Sequence, residues 1–258
     1  MPYVPRETEY VSYVNYEQAI ALTHNSSLFG VNDLFELPPL GFRIFPMDIM
    51  YEVVIQLPEP QFSGSTTLLR LTNIKADELV NDLGSANTTK ARAPFSYDGY
   101  MVYELLMRKF GDQESSFGFM AIVNQNIIFS NDKTTGLQNV KTILDQIGSN
   151  ATSLFDETNV RTAVYATGVT DQNYAALFVA MFTTQLNDTM AVKSIVGNGG
   201  AIVVSRALLF PSSDIALEHF SQAHQIYRDA TSYRILDSWL VVQYDYPLSR
   251  MQSELIGI

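Results

Sequence analysis

The chain has 258 residues, of which 47% are hydrophobic, so it can bury a sizeable core and is not a disordered protein. Sixteen basic against 27 acidic residues give a net charge of −11, and this dispersed negative charge disfavours a nucleic-acid partner. With no cysteine and three histidines, the chain has no disulfide framework and little material for a transition-metal site, so we expect no metal and no cofactor.

The amino-terminal part is predicted to alternate strands with short helices. Runs of β-branched, aromatic and aliphatic residues predict strands at residues 10–14, 48–57, 66–72, 100–107, 117–123 and 126–130. Polar caps and helical spacing predict helices at residues 16–23, 28–37 and 74–83, and from the Asn131-Asp132 cap to residue 147. Asn15 is expected to cap the first of these helices. An apolar stripe marks the last of them: Leu137, Val140, Leu144 and Ile147.

The carboxy-terminal part repeats this order of elements. Strands are predicted at residues 174–182, 190–196, around Ile202, at 207–210 and at 233–246, and a helix at 214–228. Asn198-Gly199 predicts a tight hairpin turn, because both residues accept a positive φ. Strand, strand, turn, strand and helix thus occur near residues 100–147 and again near 174–228.

These elements predict an α+β fold in which antiparallel sheets carry helices packed on one face. The repeated order predicts two similar halves, residues 1–155 and 156–258. The link between them is short, so we expect the whole chain, 1–258, to form one cooperative globular unit.

The residues that could carry chemistry are poorly placed for it. His219 and His224 are five residues apart, about 140° around a helix, and therefore cannot share one metal ion. Gly197-Asn198-Gly199-Gly200 precedes a strand, so it predicts a turn and not a phosphate-binding loop. Residues 131–135 lack the closing Glu of a calcium loop and predict an Asx turn at a helix start. We predict no catalytic, cofactor-binding or metal-binding residue.

Two features are more informative about location and binding. Four Asn-x-Ser/Thr acceptors for glycosylation fall in predicted loops, at Asn25, Asn87, Asn150 and Asn187. Random placement of 15 asparagines among 40 serines and threonines predicts about two. Tyrosines crowd the amino terminus and could stack on a sugar or a partner, although such a cluster is more often half-buried strand packing: Tyr3, Tyr10, Tyr13 and Tyr16.

Neither a signal peptide nor a membrane span is visible in the sequence. Residues 1–3 have neither a basic start nor an apolar core, so an exported chain is expected to have lost its targeting segment. The uncharged stretch at residues 172–187 is too short and polar to cross a bilayer.

Several segments over residues 4–165 resemble, in order, a group of uncharacterised secreted or lipid-anchored surface proteins of bacteria and archaea. The opening of the chain, Val4-Pro5-x-x-Thr8-x-Tyr10-Val11-x-Tyr13-Val14, is similar to the start of these proteins. The other similar segments are 97–103, 119–123, 127–130, Gly136-Leu137 with Leu144, and 153–156 followed by Val160 and Ala163. The resemblance implies an exported protein with no known catalytic residue, and this chain has no cysteine that could accept a lipid.

We therefore expect a non-enzymatic extracellular surface module, binding or structural, whose partner is a cell-surface protein or glycan. One alternative is a carrier that holds an apolar ligand between sheet and helices, which requires an enclosed apolar cavity of several hundred Å³. Another is a hydrolase with dispersed carboxylates, which requires a cleft with two convergent carboxylates of shifted pKa.

Overall fold

The fold is built around one large antiparallel sheet. A computed structural model of the chain describes residues 3–23, 35–36, 43–44, 49–58, 65–71, 78, 89–108, 114–149, 151–170, 174–183 and 188–256. Thirteen strands of this sheet have described bounds: β1 Tyr10–Asn15, β4 Ile49–Gln56, β5 Ser65–Leu71, β6 Thr89–Ala91, β7 Phe95–Tyr97, β8 Tyr100–Arg108, β9 Glu114–Val123, β10 Asn126–Ser130, β11 Tyr174–Thr183, β12 Asp188–Asn198, β13 Ala201–Leu209, β14 Ser232–Leu236 and β15 Trp239–Pro247. A separate ribbon pairs β2 Phe35–Glu36 with β3 Arg43–Ile44.

The amino-terminal strand lies in the middle of the sheet. The strand order is β14-β15-β13-β12-β11-β1-β4-β5-β10-β9-β8-β6, and β7 pairs with β8 beside this path. Within β1, Tyr13 is opposite Leu177 of β11 on one side and Val53 of β4 on the other. The sheet therefore runs without interruption across the two expected halves.

Five helices have described bounds, and they lie on both faces of the sheet. They are α1 Tyr16–Thr23, α2 Gly136–Gly148, α3 Thr158–Ala166, α4 Ser213–Ile226 and α5 Met251–Ile256. Single turns of 3₁₀-helix precede α3 and α5, at Leu154–Asp156 and Leu248–Arg250. Residues of α1, α4 and α5 pack into one apolar cluster, and those of α2 and α3 pack into the other.

The prediction that helices cover only one face is therefore wrong. The middle strands are apolar on both sides, since successive side chains of a strand point to opposite faces. In β11, Phe178 belongs to the cluster under α1 and α4, whereas Leu177 and Val179 belong to the cluster under α2 and α3. Residues 175–180 are all buried, so this strand is shielded from water on both of its faces.

The repeated order of elements is present, but similarity of the two halves is not shown. The units β8-β9-β10-α2 and β11-β12-β13-α4 have the predicted order. However, Val140 and Leu144 of α2 pack on one face, whereas Phe220 and Tyr227, in and just after α4, pack on the other. The two units thus place their helices on opposite sides of the sheet.

Most predicted elements in the described ranges are confirmed, and local polar signals explain why. Asn15 Oδ1 accepts a hydrogen bond from the Gln18 amide at 3.1 Å, as expected of a cap for α1. Asp132 Oδ1 accepts from the amides of Thr134 and Thr135 at 2.6 and 3.0 Å, which forms the predicted Asx turn before α2. The stripe of α2 packs into the core, where Val140 and Leu144 are fully buried.

Four local predictions need correction. The expected single strand at 233–246 is a hairpin of β14 and β15 with Asp237 at φ +53°, since Asp tolerates this conformation. The turn after β12 is centred on Gly199-Gly200, because Asn198 already pairs with Ala201. The helix predicted at 28–37 is wrong at its carboxy-terminal end, since Phe35–Glu36 is a strand. The helix predicted at 214–228 ends at Ile226.

Some predictions fall outside the described residues. These include all four acceptor asparagines, Asn25, Asn87, Asn150 and Asn187, and the predicted helix at 74–83 apart from Glu78. Within the described ranges, every helix is too short or too polar to cross a lipid bilayer.

A tyrosine-lined cleft as the candidate functional site

A cleft opens on the sheet face that carries α2 and α3. Its outer chamber, of about 820 Å³, lies between the end of α2, the 3₁₀ turn, α3 and the start of β11. Polar side chains on its walls include Gln146, Ser149 and Asp156. A smaller inner pocket of about 180 Å³ adjoins it, and Tyr3 and Tyr174 line both spaces. We call the outer chamber and the inner pocket together the tyrosine cleft.

The inner pocket is formed by alternate residues of neighbouring strands. Val53 and Ile55 of β4 and Leu68 of β5 point to this face of the sheet because they are separated by even register steps. Val4 and Tyr13 close the pocket from the amino-terminal side. All five side chains are buried, so the pocket reaches into the apolar core.

Three tyrosines from separate strands form one aromatic wall of the pocket. The ring of Tyr13 on β1 stacks on that of Tyr51 on β4, with centroids 5.4 Å apart and planes 30° apart. On its other side, the Tyr13 ring lies 5.3 Å from that of Tyr174 on β11, tilted by 52°. These separations are typical of favourable aromatic pairs, so the three rings stabilise one another.

The hydroxyl groups of Tyr13 and Tyr51 stay protonated over the physiological range. Burial raises the pKa of Tyr13, and the nearby Tyr174 hydroxyl, which is hydrogen-bonded to it, raises it further. Burial also raises the pKa of Tyr51, against the opposing effect of the positive charge on Arg70. Tyr13 and Tyr51 can therefore donate and accept hydrogen bonds, but they are poor nucleophiles or bases.

The amino-terminal segment is held over the cleft by backbone contacts. The Val4 carbonyl accepts hydrogen bonds from the Leu154 amide at 3.0 Å and from Ser153 Oγ at 3.1 Å. The Ser153 amide donates to Asp156 Oδ2 at 2.9 Å, which completes a capping box in the 3₁₀ turn. These bonds fix Tyr3 at the junction between the outer chamber and the inner pocket.

Charge at the mouth of the cleft comes from two side chains. Among the described lining residues, Asp156 is the one carboxylate and Arg161 of α3 the one cation. Both side chains are exposed. The mouth therefore offers a hydrogen-bond donor group and an acceptor group to a bound molecule.

The structure places only part of the predicted tyrosine cluster in this site. Tyr3 and Tyr13 line the cleft. Tyr16 lies on the other face of the sheet, where its hydroxyl donates to Glu52 Oε2 at 3.1 Å. Tyr10 alternates with Val11 in β1 and therefore also points away from the cleft. Tyr51, Tyr174 and Arg161 were missed, since nothing in their local sequence links them to the amino terminus.

The other residues considered from the sequence lie elsewhere. His219 stacks on Phe210 with ring centroids 4.5 Å apart, and His224 meets the edge of Tyr233 at 4.6 Å, both beside the face that carries α4. Over the described part of the chain, no three His, Asp or Glu side chains come close enough together to hold a metal ion.

One carboxyl group has a strongly shifted pKa, and it lies away from the cleft. Burial raises the pKa of Glu52 to about 7, and the hydrogen bond from Tyr16 lowers it in part. Glu52 alternates with Val53 in β4 and so points to the opposite face of the sheet. Glu52 and Asp156 therefore do not converge on one site.

Comparison with known proteins identifies the fold alone. No protein-family model and no curated protein matches the chain. Crystal structures of TP0453 are similar in fold: crystal form III gives a TM-score of 0.60 at 8% identity and covers 97% of this chain and 94% of that chain. Crystal form I gives a TM-score of 0.57 at 8% identity and covers 99% of this chain and 96% of that chain. At this identity the likeness establishes a shared architecture over nearly the whole length of both chains.

Proposed function

We propose that this protein is a non-enzymatic surface module outside the cell, and that it binds a small ligand in the tyrosine cleft. The observation that carries this proposal is the cleft itself, about 820 Å³ outside and 180 Å³ inside, with a wall of three packed tyrosine rings. Clefts of several hundred Å³ with apolar walls and a few polar groups are the usual form of small-ligand sites.

The composition of the cleft supports binding over storage of a long apolar molecule. A carrier of that kind requires an enclosed apolar space of several hundred Å³, whereas the apolar inner pocket here holds about 180 Å³. The larger outer chamber is lined in part by Gln146, Ser149 and Asp156, which favour hydrogen-bonding groups. The ligand is therefore partly polar.

The position of the walls inside the sheet supports a binding role as well. The inner pocket is formed by core residues of β1, β4, β5 and β11, which are held by hydrogen bonds on both sides within the sheet. A preformed site loses little conformational entropy when a ligand binds, so useful affinity is possible from a modest contact area.

The extracellular location rests on the sequence. The four acceptor asparagines exceed the chance expectation of about two, and the apolar patterning of residues 4–165 resembles exported surface proteins. A cell-surface glycan fits this location and the aromatic and polar composition of the cleft.

A ligand screen with a disabled cleft tests the proposal. The wild-type protein and the double variant Tyr3→Ala/Arg161→Ala are screened by thermal shift against a library of water-soluble saccharides and small metabolites. We expect compounds that raise the melting temperature of the wild type and not that of the double variant. Compounds that stabilise both proteins equally, or a library without a single hit, would contradict the proposed site.

A further inference from the structure

The sizes of the two compartments of the tyrosine cleft indicate the class of its ligand. We infer that the ligand is a small molecule that carries one aromatic ring, seated in the inner pocket, and a hydroxylated remainder, held in the outer chamber. This inference rests on the proposed function, because it assumes that the cleft is the binding site.

The volume of the inner pocket matches a single ring. An apolar cavity of about 150 Å³ in a protein core stays dry and binds benzene, and the inner pocket here holds about 180 Å³. A long acyl chain would exceed this volume. A methyl or hydroxymethyl group would leave most of the pocket empty, and dispersion contacts with the walls would be lost.

The aromatic wall favours a planar guest over an aliphatic one. The rings of Tyr51 and Tyr174 lie on either side of Tyr13 at 5.4 and 5.3 Å between centroids. All three border the inner pocket. A guest ring in this space can make offset or edge contacts with more than one of them, which a saturated ring of the same volume cannot do.

The outer chamber favours hydroxyl groups over a single charge. Arg161 can only donate hydrogen bonds, and Asp156, when ionised, can only accept them. An anionic group would be drawn to Arg161 but repelled by Asp156 and by the net charge of −11, whereas a cationic group would face Arg161. A hydroxyl group both donates and accepts, so several hydroxyl groups can satisfy both side chains.

Three probes separate the two compartments in a calorimetric titration. Phenyl β-D-glucopyranoside carries both a ring and hydroxyl groups, methyl β-D-glucopyranoside lacks the ring, and phenol lacks the sugar. We expect the phenyl glucoside to bind at least about tenfold more tightly than either of the others, since only this probe contacts both compartments.

Two variants assign each part of the probe to its compartment. Val53→Leu places extra volume in the inner pocket and should weaken phenol and the phenyl glucoside while leaving the weak binding of the methyl glucoside unchanged. Arg161→Ala should weaken the phenyl glucoside and leave phenol unchanged. Arg228→Ala, an exposed arginine outside the cleft, is the matched control and should bind all probes as the wild type does. Melting temperatures confirm that each variant is folded.

The outcomes distinguish the ligand class from the site. If the phenyl glucoside binds no more tightly than the methyl glucoside, the ring assignment fails. The proposed function still stands in that case if library compounds lose binding in the Tyr3→Ala/Arg161→Ala variant. If the phenyl glucoside binds Val53→Leu and Arg161→Ala as tightly as the wild type, the cleft is not the site, and both proposals are overturned.

Discussion

Replacing Glu52 by glutamine should make the protein more stable at neutral and alkaline pH. Glu52 is a partly buried carboxyl group whose pKa is raised by burial from its usual 4.5 to about 7, with the Tyr16 hydroxyl as its hydrogen-bond donor. Glutamine keeps an oxygen that can accept this bond, and it removes only the charge.

The sign and size of the effect follow from the two pKa values. Below pH 4.5 the carboxyl is protonated in both the folded and the unfolded protein, so its contribution to stability is fully present. As the pH rises through 7, the folded protein must ionise a group that burial keeps neutral, and that stability is lost. A difference of about 2.5 pKa units corresponds to an upper limit of about 3 kcal/mol.

Urea unfolding of the wild type and Glu52→Gln at several pH values measures this contribution. We expect the free energies of unfolding to be similar near pH 4.5, and the variant to gain up to about 3 kcal/mol over the wild type near pH 8. Since the other titrating groups are common to both proteins, the difference isolates Glu52. A difference that stays constant between these pH values would refute the assigned burial of Glu52.

Three further predictions test the core, a turn and the location. Leu144→Ala should lower the free energy of unfolding by about 2–5 kcal/mol, and the fluorescence of Trp239, in the same apolar cluster, should report the earlier melting. An unchanged Trp239 transition would indicate two independent domains. Gly199→Val should lower the stability of the protein by about 1 kcal/mol or more, because Gly199 has φ +52°. Gly199→Asn should have a milder effect, since Asn tolerates this conformation. Equal stability of the wild type and both variants would contradict the turn. Intact mass of protein from its native source should exceed the polypeptide mass through glycosylation, and an unmodified mass would contradict export.

Local signals predicted the secondary structure well because they act within a few residues. Asn15 caps α1 through the Gln18 amide three residues later, and Asp132 forms its turn with Thr134 and Thr135. The missed hairpin at Asp237 is one exception, since its turn lacks a glycine such as Gly199, which marked the turn after β12.

The layer arrangement was harder to predict, although a signal for it was present. An unbroken buried run such as 175–180 indicates a strand covered on both faces, whereas strict alternation would indicate one covered face. The site was harder still. Tyr13, Tyr51 and Tyr174 are brought together by strand order alone, and no periodicity in the sequence encodes which strands are neighbours.

The central position of β1 has a consequence for how the protein is made. During synthesis β1 emerges before its two neighbours, and β4 can pair with one of its edges early, through contacts such as Tyr13 with Val53. The partner of its other edge, around Leu177, follows about 160 residues later. Until then the nascent chain carries an open apolar strand edge, which is a template for association with other chains. Any event that halts translation between these strands would therefore yield a fragment prone to aggregate.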